Sequence, residues 1–106
     1  MNRSQAHDAL IARAMQLALR YDVECHHARR PLYDRRGWPD LFLLGTQAAA
    51  ARELKTGRAV PTADQVETGR RLAIAGIDFR IWHEQDFLNG DAERQIAALS
   101  GRQPWI

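Results

Sequence analysis

The sequence predicts an α/β domain: a short mixed sheet flanked by helices, in the order helix, strand, strand, strand, helix, strand. Three observations carry that prediction. Apolar residues recur at helical spacing near the N-terminus, two strand-like runs in the middle are joined by a tight turn, and a capped helical segment leads into a run of alternating polarity.

Leu10, Ile11, Ala14, Met15 and Ala18 mark the first helix, which Ser4 can cap and which runs to about Arg20. Residues 23–28 read as a strand. The following stretch, RRPLYDRRGWP, contains Pro31, Gly37 and Pro39 and reads as a loop. DLFLLG and AAARELK then form the two arms of a hairpin. In VPTADQVETGRRLAIAG, Thr62 and Gln65 have the spacing of a capping box and Gly76 stops the helix. IDFRIW alternates large apolar residues with Asp78 and Arg80, as a half-buried strand does. A weak last helix is expected over residues 92–99, with RQPWI as a tail.

A chain of 106 residues and 12.1 kDa, 45% hydrophobic and 26% charged, reads as one globular domain over residues 1–106. No apolar run approaches the roughly 20 residues needed to cross a bilayer. The opening Asn2-Arg3-Ser4-Gln5 does not have the pattern of a signal peptide, and the lone cysteine, Cys25, excludes an internal disulfide. The expectation is a cytoplasmic protein that does not enter membranes. A pI near 9.2 and a formal charge of +2 permit an anionic partner without demanding one. Arg29, Arg30, Arg35 and Arg36 crowd the proline-containing loop, as a solvated stretch or as contacts to phosphate.

Of the 15 basic residues only Lys55 is a lysine. Side chains alternate along a strand, so Glu53 and Lys55 share one face while Arg52 and Leu54 take the other. An isolated Glu-x-Lys is usually a salt bridge. Here, however, Asp40 opens the partner arm of the hairpin and brings a second carboxylate toward Glu53. Two neighbouring carboxylates repel unless a cation intervenes. Mg²⁺ or Mn²⁺, which take oxygen ligands and keep several waters, would suit.

These residues resemble the VRR-NUC branch of the PD-(D/E)XK nucleases, particularly its small stand-alone members in phage and bacterial genomes. The resemblance rests on Gly37-Trp38-Pro39-Asp40-Leu41, Glu53-Leu54-Lys55, Gln65, and the segment from Gly76 to Trp82, in that order, and covers residues 23–86. It implies a restriction-endonuclease-like core and metal-dependent hydrolysis of DNA phosphodiesters, with branched or junction DNA as a structure-specific substrate and a homodimer cutting two strands. Asp40, Glu53 and the Leu54 backbone carbonyl would bind Mg²⁺, with Mn²⁺ able to substitute, and Lys55 would sit beside the attacking water. A compact ammonium fits there, whereas a planar guanidinium is wider and does not give up a proton. Gln65 has two readings that can coincide, as the capping-box residue or as a polar contact at the metal centre.

The pattern departs from the family on the first helix, where many members carry a glutamate. No glutamate precedes Glu24, and Gln5 and Asp8 are the candidate replacements, Asp8 the better ligand. The first-turn position of Asp8 also suits a favourable interaction with the helix dipole. The alternative function is therefore a nucleic-acid-binding module of the same fold without catalysis. His26 either approaches the cleft or is satisfied within its strand. Trp38 either stacks on a base or anchors its loop. Zinc is not expected, since Cys25, His26 and His27 have no second ligand pair to complete a tetrahedral site.

Overall fold

A computed structural model describes residues 2–27 and 36–102. Helix α1 (Arg3–Arg20) leads into strand β1 (Glu24–His27), the hairpin strands β2 (Leu41–Leu44) and β3 (Ala49–Lys55), helix α2 (Ala63–Ile74), strand β4 (Asp78–His83), and the short helices α3 (Glu84–Leu88) and α4 (Asp91–Ala98). The strands form one sheet in the order β1-β2-β3-β4, antiparallel between the first two pairs and parallel between β3 and β4. The helix that returns the chain for the parallel pairing is α2, as a crossover of this kind requires.

The expected cap of α1 is corrected. Asn2, not Ser4, occupies the N-cap: its side chain accepts from Gln5 N–H at 2.8 Å, and the Gln5 side chain accepts from Asn2 N–H at 2.9 Å. Asn-x-x-Gln can close both halves of a capping box, whereas Ser4 has His7 three residues on and no such partner. Leu10, Ile11, Ala14, Leu17 and Ala18 form the buried stripe of α1. Met15, expected in that stripe, is 40% exposed at its edge.

The register sorts the side chains into two faces. On one, Leu41, Leu43, Ala50, Leu54 and Trp82 join the α1 stripe and Ala92, Ile96 and Ala97 of α4 in a single core. Arg52 lies on that same face and is only 1% exposed. A buried guanidinium without partners would cost several kcal/mol. Arg52 instead donates to the Ala51 and Asp78 carbonyls at 2.9 and 2.7 Å, to the Asp78 carboxylate and to Gln95 Oε1 at 3.1 Å each, and lies over the Trp82 ring. The opposite face carries Phe42, Ala51, Glu53, Lys55 and Phe79. There α2 packs on β4, with Gly69 directly against the Phe79 ring.

Helix α2 begins where its capping box predicts, with Thr62 at the N-cap, and Gly76 follows its end at φ +90°. The last expected helix is observed as α4. Helix α3 was not foreseen, because five residues are too few to display a helical period. Ala28, assigned to the first strand by sequence, lies outside the described residues, as does the tail beyond Arg102. Among the described residues no helix is long and apolar enough to cross a membrane.

Candidate active site

Asp40 is delivered by a loop that touches the start of α2. Gly37 has φ +83°, and a Cβ there would stand 2.3 Å from the Asp64 carbonyl oxygen and 2.9 Å from Gln65 N. Only glycine permits so close an approach in the left-handed region. The antiparallel pairing of β2 and β3 ends at Leu41 and Arg52. One step beyond it, the Asp40 carboxyl substitutes for a backbone acceptor, its Oδ2 taking the Leu54 N–H at 2.8 Å. A strand residue presents its N–H and its C=O to the same edge, so the Leu54 carbonyl faces that side too.

Glu53 sits on β3 just past the end of the β2 pairing, opposite Ile81 of β4, and is 3% exposed. Its Oε2 receives Gln65 Nε2 at 2.8 Å and faces Lys55 Nζ at 3.1 Å. Its Oε1 is buried and has no hydrogen-bond partner among the described residues. Burial, and then the charge of Asp40, push the Glu53 carboxyl from the ordinary 4.5 up to about 7, against the opposing pull of Lys55. Gln65 does two things at once: its Oε1 accepts from Thr62 N–H at 2.9 Å in the capping box, while its Nε2 holds Glu53. The cap fixes the backbone, and the amide then has one group left to aim.

These side chains border a cleft of about 710 Å³, whose far wall is the first turns of α1, with Arg3, Ser4 and His7. Asp8 is exposed and does not border it. The helix turns His7 inward instead, with Nε2 3.1 Å from Asp40 Oδ2. Gln5 is engaged in the α1 cap. Sequence reasoning passed over His7, yet a signal existed: it lies three and four residues before Leu10 and Ile11, where the apolar stripe would continue.

Of the other expected residues that are described, His26, Arg36 and Trp38 do not border the cleft. His26 points out from β1 beside Glu24 at 3.4 Å and borders a different groove, of about 750 Å³, lined by Met15, Leu19, Val23 and Cys25. His26 is not among the residues that border the cleft, although its partner across the strands, Phe42, lies on the sheet face that carries Glu53 and Lys55. Trp38 is 39% exposed and stacks on Phe42 with ring centroids 5.3 Å apart, the geometry of a loop anchor. Arg36 is exposed; Arg29, Arg30 and Arg35 lie outside the described residues. Among the described residues no three of His, Cys, Asp and Glu gather as a metal cluster.

The four strands form an open sheet with Asp40, Glu53 and Lys55 together where β2 begins and β3 ends, and Gln65 at the start of α2 reaches Glu53. The fold is that of VRR-NUC proteins: a solved structure described as a "VRR_NUC domain protein" matches 99% of this chain and 98% of its own, with a TM-score of 0.67 at 17% sequence identity. No protein-family model matches the sequence, and no curated protein matches it.

Proposed function

We propose that this protein is a metal-dependent endonuclease that hydrolyses DNA phosphodiester bonds, with branched or junction DNA as its substrate class. The observation that carries the reading is the division of labour within the acid pair. With both acids ionised, Leu54 N–H and His7 converge on Asp40 Oδ2 and Gln65 and Lys55 on Glu53 Oε2, leaving Glu53 Oε1 buried and without a hydrogen-bond partner among the described residues. A buried carboxylate oxygen without a donor is costly, and the charge of Asp40, which after burial is the second cause of the raised Glu53 pKa, adds to it. A hard divalent cation, Mg²⁺ with Mn²⁺ as substitute, relieves both.

Asp40, Glu53 and the Leu54 carbonyl would hold that cation, an all-oxygen donor set of the kind it prefers. When bound, it supplies Lewis-acid polarisation of the phosphate and a more acidic water. The rest falls to the chain's own groups. Lys55, tethered to Glu53, offers an N–H donor and positive charge where negative charge builds on the attacked phosphate. Gln65 fixes the Glu53 rotamer from α2. The side chain of Lys55 is only 13% exposed, which strengthens its electrostatic effect relative to a solvated lysine. Arg29, Arg30, Arg35 and Arg36 would contact the DNA backbone ahead of Asp40, and a homodimer would bring two such clefts to opposite strands.

The test is cleavage of a panel of linear, nicked, flapped and four-way-junction DNA with Mg²⁺, Mn²⁺ or EDTA. Cation-dependent cutting that Asp40→Asn abolishes is expected. Tight DNA binding without any cutting would favour the non-catalytic module instead.

A further inference from the structure

Asp40 Oδ2 carries two donors from two different elements: Leu54 N–H of β3 at 2.8 Å and His7 Nε2 of α1 at 3.1 Å. A terminal carboxyl rotates in a broad, two-fold well, so one backbone hydrogen bond sets which oxygen faces β3 but leaves the plane of the group loose. A second donor arriving from the helix closes that freedom. Because α1 is pinned to the core through Leu10, Ile11 and Ala14, one and two turns further on, the ring arrives from a fixed backbone.

We infer that His7 is a positioning residue: by donating from Nε2 to Asp40 Oδ2 it sets the carboxyl so that Oδ1 is presented beside Glu53 Oε1 as an oxygen donor for the divalent cation. This rests on the reading of the cleft as a cation site. The nitrogen nearest the acid pair is already committed to Asp40, and a nitrogen that donates a proton to a carboxylate is not free to ligate. His7 therefore acts through Asp40, as outer partners of metal ligands do. Its side chain is 30% exposed, so its removal does not open the core.

The experiment compares wild type, His7→Ala and His7→Gln in the full chain without DNA, by calorimetric titration with Mn²⁺. A glutamine amide at position 7 offers a donor at nearly the reach of the imidazole Nε2. His7→Ala is expected to weaken Mn²⁺ binding by about tenfold or more, and His7→Gln to remain within a few-fold of wild type. Unchanged affinity in His7→Ala would overturn the inference. So would a His7→Gln variant as weak as His7→Ala, which would make the ring itself the ligand. If wild type takes up no Mn²⁺, the cation reading of the cleft falls, and the hydrogen bond is judged separately by long-range ¹H–¹⁵N correlation of the metal-free protein. A proton on the His7 Nε2 is expected there, and a ring protonated only on Nδ1 overturns the contact.

Discussion

Lys55 Nζ lies 3.1 Å from Glu53 Oε2, two residues away on the same face of β3, and both side chains are largely withdrawn from water. The pair is therefore more than a surface salt bridge, whose worth is commonly below about 1 kcal/mol. Glu53 holds the lysine in a fixed place at the mouth of the cleft. Gln65 shares the same oxygen, so Oε2 is saturated and Oε1 is left over.

Lys55→Arg keeps the charge but changes its shape. A planar fork wider than an ammonium cannot occupy the same slot between Glu53 and a phosphate. Single-turnover cleavage is expected to fall by about 10² to 10³, or about 3–4 kcal/mol, as for loss of one donor to a developing oxyanion. DNA affinity should change far less, because on the proposed reading ground-state binding would be spread over many phosphate contacts. Near-normal cleavage by the arginine variant would reduce position 55 to a source of charge alone.

Asp40→Asn separates two effects that share one carboxyl. The amide oxygen can still accept the Leu54 N–H, so the loop is expected to stay in place, but the negative charge is gone. Mn²⁺ affinity should drop by an order of magnitude or more, as when a supporting group is lost or worse. Without metal, urea unfolding at pH 8 should show no loss of stability, because the charge of Asp40 works against ionised Glu53. A large loss of stability with unchanged Mn²⁺ affinity would make Asp40 a purely structural residue.

Much of this arrangement was legible because local chemistry dictated it. The Thr62–Gln65 capping box fixed the start of α2, and β2 and β3 lie where the apolar runs placed them. The alternation along β3 separated Glu53 and Lys55 from Arg52 and Leu54, as observed. What escaped depends on tertiary neighbours. Nothing near Arg52 in sequence announces that Gln95, 43 residues on, will share its burial with Asp78 and Trp82. His7 meets Asp40 across 33 residues, and which side of a helical turn faces a cleft depends on how α1 is docked. For His26 the strand was right, but the ring sits beside Glu24 at the groove by α1 and not among the residues of the cleft.

Gly37→Ala tests the join between the Asp40 loop and α2. The new Cβ would meet the Asp64 carbonyl at 2.3 Å, backbone that has no rotamer by which to yield, at a left-handed φ of +83°. The backbone conformation alone costs about 1–3 kcal/mol for a residue other than glycine. A lowered urea midpoint is therefore expected, together with weakened Mn²⁺ binding as Asp40 shifts relative to Gln65. Gly57 provides the control: it too has positive φ, at +58°, but a Cβ there meets nothing within 4 Å. Gly57→Ala should show the smaller loss, and equal losses would mean that conformation rather than contact is what Gly37 supplies.

The raised pKa of Glu53 sets a direction for pH. In the unfolded chain this carboxyl loses its proton near 4.5; in the folded, metal-free protein it keeps it up to about 7. Between those values the native state binds more protons than the unfolded state, so the contribution of Glu53 to stability falls as pH rises, by at most about 1.4 kcal/mol per pH unit, and levels off above 7. Divalent cation should reverse the trend, because it binds the ionised form and must displace the proton: Mn²⁺ affinity is expected to climb toward pH 7 and then flatten, with proton release detectable below it. Other groups titrate in the same range, so the measurement is the difference between wild type and Glu53→Gln in urea unfolding at pH 5, 6, 7 and 8, with and without Mn²⁺. The variant should be relatively more stable as pH rises without metal and should gain little from Mn²⁺. Parallel pH curves for the two proteins would mean that Glu53 ionises at its ordinary value and that the buried Oε1 carries no penalty for a cation to relieve.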